Sequence, residues 1–145
     1  MDTPHELKAR ALRYLVRREH SRDELSRKLA PHAESPEILA GTLNWLEGTN
    51  KLSNQRFAEV RAHVLARKYG AAKIRQDLKS KGVSEEVSDR AVAELDDLTK
   101  AKEILARKYR LPATTREERA KRARFLQSRG FSGEVIRRLV LRNDE

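Results

Sequence analysis

The chain has 145 residues, with 32 Lys and Arg against 22 Asp and Glu, which gives a formal net charge of +10. Charged residues make up 37% of the chain and aromatic residues only 5%, so one large aromatic core is not expected. The absence of Cys excludes disulfides and thiolate chemistry, and the absence of a long apolar run or signal region predicts a soluble, cytoplasmic protein without a membrane segment.

Apolar residues recur at three- and four-residue spacing along almost the whole chain, which is the period of amphipathic helices. Helix starts are marked by S/T-x-x-E capping boxes and by one Ser-Pro pair, at Thr3, Ser21, Thr115 and Ser35. Helix ends closed by a residue in the left-handed conformation are predicted at Gly48, Gly70, Gly82 and Gly130. These signals predict nine helices, no strand, and therefore an all-α fold.

An internal repeat divides the chain. The pattern Leu, five residues, Ser, one residue, Glu, then Ile or Val begins at Leu29, Leu78 and Leu126, with offsets of 49 and 48. The five residues LARKY occur at 65–69 and again at 105–109, which indicates an insertion of about eight residues in the third copy. We predict three tandem three-helix repeats, at 1–50, 51–97 and 98–145, that stack into an elongated, curved array.

Positive charge increases along the chain, with formal net charges of 0 for residues 1–50, +3 for 51–100 and +7 for 101–145. Such a gradient favours a polyanionic partner, nucleic acid or an acidic protein surface, for the second and third repeats. The alternative is a solvated surface whose Lys and Arg only keep the protein in solution.

Alignment of the repeats identifies positions that are basic in the second and third copies. Arg75 and Lys79 also lie four residues apart on the fifth helix, so we expect them to project outward together. The candidate partner-binding residues are Arg67, Lys68, Lys73, Arg75, Lys79, Lys81, Arg122, Arg124 and Arg129.

No residue set for catalysis, metal binding or a cofactor is found. His5-Glu6 begins like a zinc-protease helix, but Ala9 stands where the second His is required. The acidic pair Asp96-Asp97 is interpreted as solvent-facing rather than as a nuclease site. The aromatic residues are interpreted as core rather than as base-stacking platforms, and they include Trp45, Phe57, Tyr69, Phe125 and Phe131.

Three blocks of sequence resemble the bacterial RecX regulatory proteins: residues 70–84, the pair Phe57-Ala58, and residues 125–132. The run 21–29 fits as well, so the resemblance covers almost the whole chain in order. The sequence departs from the family at Asn54, where an acidic residue is usual, and at Asn50, where Gly is common. Ser53 or Asn54 is expected to cap the fourth helix.

This resemblance implies a non-enzymatic regulator of the RecA recombinase with a fold of three three-helix repeats. Such proteins bind RecA filaments on single-stranded DNA and inhibit or modulate their ATPase, strand-exchange and co-protease activities in recombination, DNA repair and the SOS response. We expect a monomer that contacts DNA weakly, through phosphates. The alternative is a general, sequence-independent nucleic-acid-binding protein, and an enzyme is a third and remote hypothesis.

Overall fold

The computed structural model describes residues 1–141, and within this range the chain forms nine α-helices and no strand, as predicted. The helices are α1 Pro4–Arg17, α2 Arg22–Leu29, α3 Pro36–Gly48, α4 Asn54–Leu65, α5 Ala71–Ser80, α6 Glu85–Ala93, α7 Asp97–Lys108, α8 Arg116–Ser128 and α9 Gly133–Ile136. A 3-10 turn, Ala30–His32, follows α2, and a π-helical turn, Arg137–Leu141, follows α9. None of the described helices has an apolar stretch long enough to cross a membrane.

The predicted capping boxes are present. In α1 the Oγ1 atom of Thr3 accepts the Glu6 N–H at 3.1 Å, and the Glu6 carboxylate accepts the Thr3 N–H at 2.8 Å. Ser21 and Thr115 make the same reciprocal pair of bonds at α2 and α8. Each box satisfies two backbone donors that a helix start otherwise leaves unpaired.

The columns of the internal repeat have the same structural role in all three copies. The Ser side chain accepts the N–H three residues later, at 3.1 Å for Ser35, 3.2 Å for Ser84 and 3.2 Å for Ser132. The Leu side chain of each copy is fully buried, at Leu29, Leu78 and Leu126. The repeated pattern therefore encodes one buried anchor and one helix cap per repeat.

Two of the four predicted helix-ending glycines differ from expectation. Gly82 and Gly130 have the positive φ of a left-handed residue, whereas Gly70 and Gly48, the last residue of α3, do not. Asn50 instead takes the left-handed conformation after α3, with φ of 63°. Asn adopts this conformation more readily than other non-glycine residues, which explains why it can stand where Gly is common.

The second departure, Asn54, also has a defined contact. Its Oδ1 atom accepts the N–H of Arg22 at 2.8 Å, which caps the start of α2. The start of α4 is capped by Ser53, whose Oγ accepts the Arg56 N–H at 3.1 Å. Of the two predicted caps for α4, Ser53 is therefore the one used.

The chain divides into two compact units: unit 1 contains residues 1–60 and 78–88, and unit 2 contains residues 61–77 and 89–145. The middle repeat thus contributes to both units. The proposed repeat boundaries at residues 50 and 97 remain sequence-based predictions. The core of unit 1 comprises Leu7, Ala11, Leu25, Leu29, Ala33, Leu43, Leu46 and Leu52. The core of unit 2 comprises Ala101, Ile104, Leu126, Phe131, Ile136 and Val140.

The aromatic residues divide into buried and partly buried groups. Phe57 and Phe131 are 3% and 4% exposed, which confirms their predicted core positions. Trp45 is only partly buried: it packs against the unit 1 core, and the Nζ atoms of Lys8 and Lys51 lie 4.6 and 5.3 Å from its ring.

Candidate partner-binding surface

The nine candidate residues are exposed or partly buried, and they are divided between the two units. Unit 2 contains seven of them, Arg67, Lys68, Lys73, Arg75, Arg122, Arg124 and Arg129, and unit 1 contains Lys79 and Lys81. Lys79 is exposed on α5, and the carbonyl of Lys81 accepts the Ser21 hydroxyl at 2.7 Å. The candidate residues that contact the same aromatic ring, Lys73 and Arg129, both belong to unit 2.

In unit 2, cations and aromatic rings alternate in a continuous row. The first ring of the row is Tyr69, which lies in the segment between α4 and α5. The Nζ atom of Lys73 lies 5.9 Å from the Tyr69 ring centre, and the guanidinium carbon of Arg129 lies 5.6 Å from it. Both distances are within the range of cation–π attraction.

The row continues through the ends of α7 and α8. Arg129 also lies 4.9 Å from the Phe125 ring, which the Nζ atom of Lys108 contacts at 4.8 Å. Tyr109 is the third ring, and Lys108 and Arg122 lie 5.8 and 4.3 Å from its centre. We call the whole row the cationic ladder; it consists of Lys73, Tyr69, Arg129, Phe125, Lys108, Tyr109 and Arg122.

Main-chain carbonyls orient three of the four ladder cations. Arg129 donates to the Lys68 carbonyl at 3.2 Å, Arg122 to the Leu111 carbonyl at 2.7 Å, and Lys73 to the Ser128 carbonyl at 3.4 Å. Carbonyls near helix C-termini carry partial negative charge and attract cations. Because carbonyls are neutral overall, these bonds orient the side chains without cancelling their charges.

No ladder cation forms an ion pair with a carboxylate within residues 1–141. Arg122 has a longer-range attraction to Glu118, whose pKa is lowered mainly by the N–H groups of Thr114 and Thr115. The ladder therefore presents four formal positive charges along one row. Such a row can bind phosphates or carboxylates of a polyanionic partner.

Four members of the ladder are not among the predicted partner-binding residues. Phe125 packs against the unit 2 core, in agreement with its predicted core position, but Phe125 and Tyr69 are only partly buried, and each ring also contacts two cations. Lys108 and Tyr109 were not proposed at all. The signal that could have found them is the LARKY repeat, which places an aromatic residue after a basic pair at both Tyr69 and Tyr109.

The interpretation of Asp96 and Asp97 as solvent-facing is wrong for Asp97. Asp96 caps α7 by accepting the Thr99 N–H at 3.1 Å. Asp97 is partly buried, and it accepts the Ala71 N–H at 3.1 Å, which caps α5. Burial raises the pKa of the Asp97 carboxyl above its ordinary value. Among residues 1–141, no group of three or more His, Asp or Glu side chains could hold a metal ion.

Comparison with known proteins assigns all three repeats. Models of the first, second and third three-helix domains of RecX match residues 8–46, 53–92 and 95–140. The predicted series of three tandem three-helix repeats is confirmed by these matches.

Whole-chain similarity agrees with the domain matches. The chain is 46% identical to the regulatory protein RecX of Ralstonia pickettii, over 98% of this chain and 91% of that protein. It is 47% identical to the regulatory protein RecX of Ralstonia nicotianae, over 94% and 87% respectively. A crystal structure of RecX from Lactobacillus salivarius has the same fold, with a TM-score of 0.82 at 19% identity over 95% of this chain and 94% of that one. The protein therefore belongs to the RecX family of regulatory proteins.

Proposed function

We propose that this protein regulates the RecA recombinase by binding RecA filaments on single-stranded DNA. In this proposal it inhibits or modulates their ATPase, strand-exchange and co-protease activities during recombination, DNA repair and the SOS response, and it acts as a monomer in the cytoplasm. Membership of a family of regulatory proteins supports the proposal. The single observation that carries it is the cationic ladder, a row of four positive charges without a carboxylate partner among the described residues.

The ladder suits a nucleoprotein filament on physical grounds. A filament presents DNA phosphates and acidic protein side chains, and both attract a row of positive charges. Rings and carbonyls already hold the cations in place, so binding orders these long side chains at a reduced entropic cost. The predicted role is charge complementarity, with no chemical step: the protein favours the filament states to which it binds more tightly.

The ladder also supports the alternative of a general nucleic-acid-binding protein, since phosphates alone would satisfy its cations. Each ring already has two cations near its centre, so a base that stacked on a ring would compete with these cations. Sequence-independent contacts to phosphates are therefore the form that this alternative takes. It predicts an affinity for DNA that falls steeply with salt and does not depend on RecA.

The test is the single-stranded-DNA-dependent ATPase rate of preformed RecA filaments, measured as this protein is added in the presence of excess duplex DNA. Inhibition at well below one molecule per RecA subunit, surviving the duplex competitor, is expected from filament recognition. An effect that disappears with the competitor would replace the proposal with general nucleic-acid binding.

A matched pair of variants assigns the effect to the ladder. Lys73→Gln with Arg129→Gln removes two ladder cations, whereas Lys102→Gln with Arg116→Gln removes two exposed cations of unit 2 outside the ladder. Both variants change the net charge equally. We expect the protein concentration needed for half-maximal inhibition to rise about tenfold for the first variant and to stay within about twofold of the wild-type value for the second. Equal losses in the two variants would show that only total charge matters.

A further inference from the structure

A close backbone contact in unit 2 joins the start of α5 to the end of α8. The N–H of Gly70, directly before α5, donates to the carbonyl of Arg129 at 2.7 Å. Gly70 itself is buried. This bond lies between Tyr69 and Lys73 on one side and Arg129 on the other, and these three residues form the first part of the cationic ladder.

Gly70 leaves no space for a side chain. A Cβ added there would lie 2.6 Å from the Gly130 carbonyl oxygen and 2.8 Å from the Phe131 ring. Real Cβ atoms essentially never come within 3.0 Å of another heavy atom, so the two segments would have to separate. The φ angle of Gly70 is not positive, so close approach alone requires Gly here.

Gly130 faces the same contact from the other side. Its φ angle is +90°, a conformation that costs a residue with a Cβ about 1 kcal/mol or more. An added Cβ would also lie 2.5 Å from the Cβ of Lys73 and 2.7 Å from the Lys73 nitrogen. Backbone conformation and space therefore both require Gly at this position.

The two glycines are next to the residues that define the ladder geometry. Arg129 directly precedes Gly130, and its guanidinium reaches the Lys68 carbonyl and the Tyr69 ring. Lys73 lies one helical turn after Gly70 and approaches the same ring. Any separation of the two segments moves Lys73 and Arg129 apart and removes at least one of them from the ring.

We propose that Gly70 and Gly130 are positioning residues for partner binding, which act through Lys73 and Arg129 without touching the partner. This inference rests on the proposed function of the ladder. The positioning role requires that Lys73 and Arg129 bind the partner as a pair held against the Tyr69 ring, rather than as independent charges on flexible side chains.

The binding test compares Gly70→Ala and Gly130→Ala with Gly41→Ala as the control, because an added Cβ at Gly41 in α3 meets nothing within 4 Å. Affinity is measured with RecA filaments on labelled single-stranded DNA, well below the melting temperature of each variant. We expect the first two variants to bind about tenfold more weakly, and Gly41→Ala to bind like the wild type.

A double-mutant cycle separates positioning from general destabilisation. The Gly70→Ala change is repeated in the variant that already carries Lys73→Gln and Arg129→Gln. If the glycine acts through these cations, it causes no further loss of affinity in that background. A further tenfold loss there, or wild-type affinity in both glycine variants of the wild-type background, would overturn the proposal.

A measurement on the free protein tests, without RecA, whether Gly70 keeps Lys73 and Arg129 close to the Tyr69 ring. Proton NMR shifts of the Lys73 and Arg129 methylene groups report the Tyr69 ring current, with Tyr69→Leu as the reference for its absence. We expect Gly70→Ala to shift these signals toward the reference. Ring-current shifts that persist in Gly70→Ala would overturn the inference. Loss of cooperative folding in both glycine variants would also overturn it, because the two glycines would then serve the fold alone. If wild-type protein does not bind filaments, the proposed function fails, and the NMR result still decides the positioning.

Discussion

Unit 1 and unit 2 differ in net charge, and the ion-paired arginines of unit 1 are held in a different way from the ladder arginines of unit 2. Unit 1 has 12 Lys and Arg against 11 Asp and Glu, a formal net charge of +1, whereas unit 2 has 20 against 11, a formal net charge of +9. Almost the whole net charge of the protein therefore belongs to one unit.

Four of the seven arginines of unit 1 pair with carboxylates. Arg10 contacts Asp2 at 2.7 Å, and Arg56 contacts Glu19 at 3.0 Å. Two further pairs of the same kind are Arg18 with Glu24 at 3.1 Å and Arg22 with Glu47 at 2.5 Å. Unit 2 also has such a pair, Arg61 with Asp77 at 2.9 Å, but the arginines of its ladder instead donate to carbonyls and lie over rings. The comparison shows that an ion pair neutralises an arginine, whereas a carbonyl and a ring orient it and leave its charge available.

The largest effect is expected from neutralising four cations in each unit separately. Replacing all four ladder cations, Lys73, Lys108, Arg122 and Arg129, with Gln lowers the net charge from +10 to +6. We expect binding to RecA filaments to weaken about a hundredfold, or about 0.7 kcal/mol per cation. Fluorescence anisotropy of filaments on labelled DNA measures this loss.

The matched control replaces the four ion-paired arginines of unit 1, Arg10, Arg18, Arg22 and Arg56, with Gln. It has the same net charge of +6 as the ladder variant. We expect a lower melting temperature, because four carboxylates lose their partners, but binding within about threefold of the wild type. Comparable losses of binding in the two variants would remove the distinction between the units.

Local features of this fold could be predicted from the sequence, whereas the ladder could not. The Ser caps at 35, 84 and 132 depend on bonds to residues three positions later, so a short repeated pattern reveals them. Lys73 and Arg129 were found because charge recurs between repeats. Lys73 lies only four residues from Tyr69, but Arg129 reaches this ring from a distant part of the chain, as its bond to the Lys68 carbonyl 61 residues away shows, and no spacing in the sequence indicates such a contact.

A second prediction concerns His20, which is 1% exposed in unit 1. Its Nδ1 atom lies 3.1 Å from the Arg18 carbonyl, and its Nε2 atom lies 2.8 Å from the Nζ of Lys28. Burial and the neighbouring cations lower the pKa of His20 below 6.5. The unfolded chain therefore takes up a proton before the folded one does, so stability falls as the pH decreases below about 6.5.

Denaturation at pH 5 and pH 7, followed by the fluorescence of Trp45, measures this loss of stability. For one histidine that stays neutral in the folded protein, the free energy of unfolding falls by at most about 2 kcal/mol between these two pH values. His20→Leu is expected to lack this part of the pH dependence, and His5→Gln, a change at an exposed histidine, to keep it. An unchanged pH dependence in His20→Leu would contradict the assignment.

Removing a ring is expected to have a smaller effect than removing charges. Tyr109→Leu keeps an apolar side chain but takes the ring away from Lys108 and Arg122. We expect filament affinity to fall about fivefold, since each exposed cation–π contact contributes about 0.5–1 kcal/mol. Equilibrium binding to labelled filaments measures the change.

Two controls sharpen this prediction. Tyr109→Phe keeps the ring and loses only a buried hydroxyl that has no hydrogen-bond partner within residues 1–141, so this conservative change should leave affinity at the wild-type value. Tyr14→Leu removes the ring beneath Lys28 in unit 1, and binding should not change. A fivefold loss in Tyr14→Leu would contradict the difference between the units.

The smallest effect is expected at Asp97, whose pH dependence has the opposite sign to that of His20. Because burial raises its pKa, the folded protein takes up a proton before the unfolded chain does, and this group adds stability as the pH falls. Asp97→Asn can still accept the Ala71 N–H without a charge. We expect its melting temperature at pH 7 to be equal to the wild type or roughly 1–3 °C higher. A clear decrease would show that the charge itself stabilises the start of α5.

The most direct test of the central claim is site-specific cross-linking to RecA filaments, which the absence of Cys makes straightforward. A photoreactive maleimide is attached to Lys68→Cys, beside Tyr69 in unit 2, or to Arg27→Cys, an exposed position of α2 in unit 1. The account predicts efficient cross-links to RecA or its DNA from position 68 and far weaker ones from position 27. Equal yields from both positions, or efficient cross-links from position 27 alone, would contradict it.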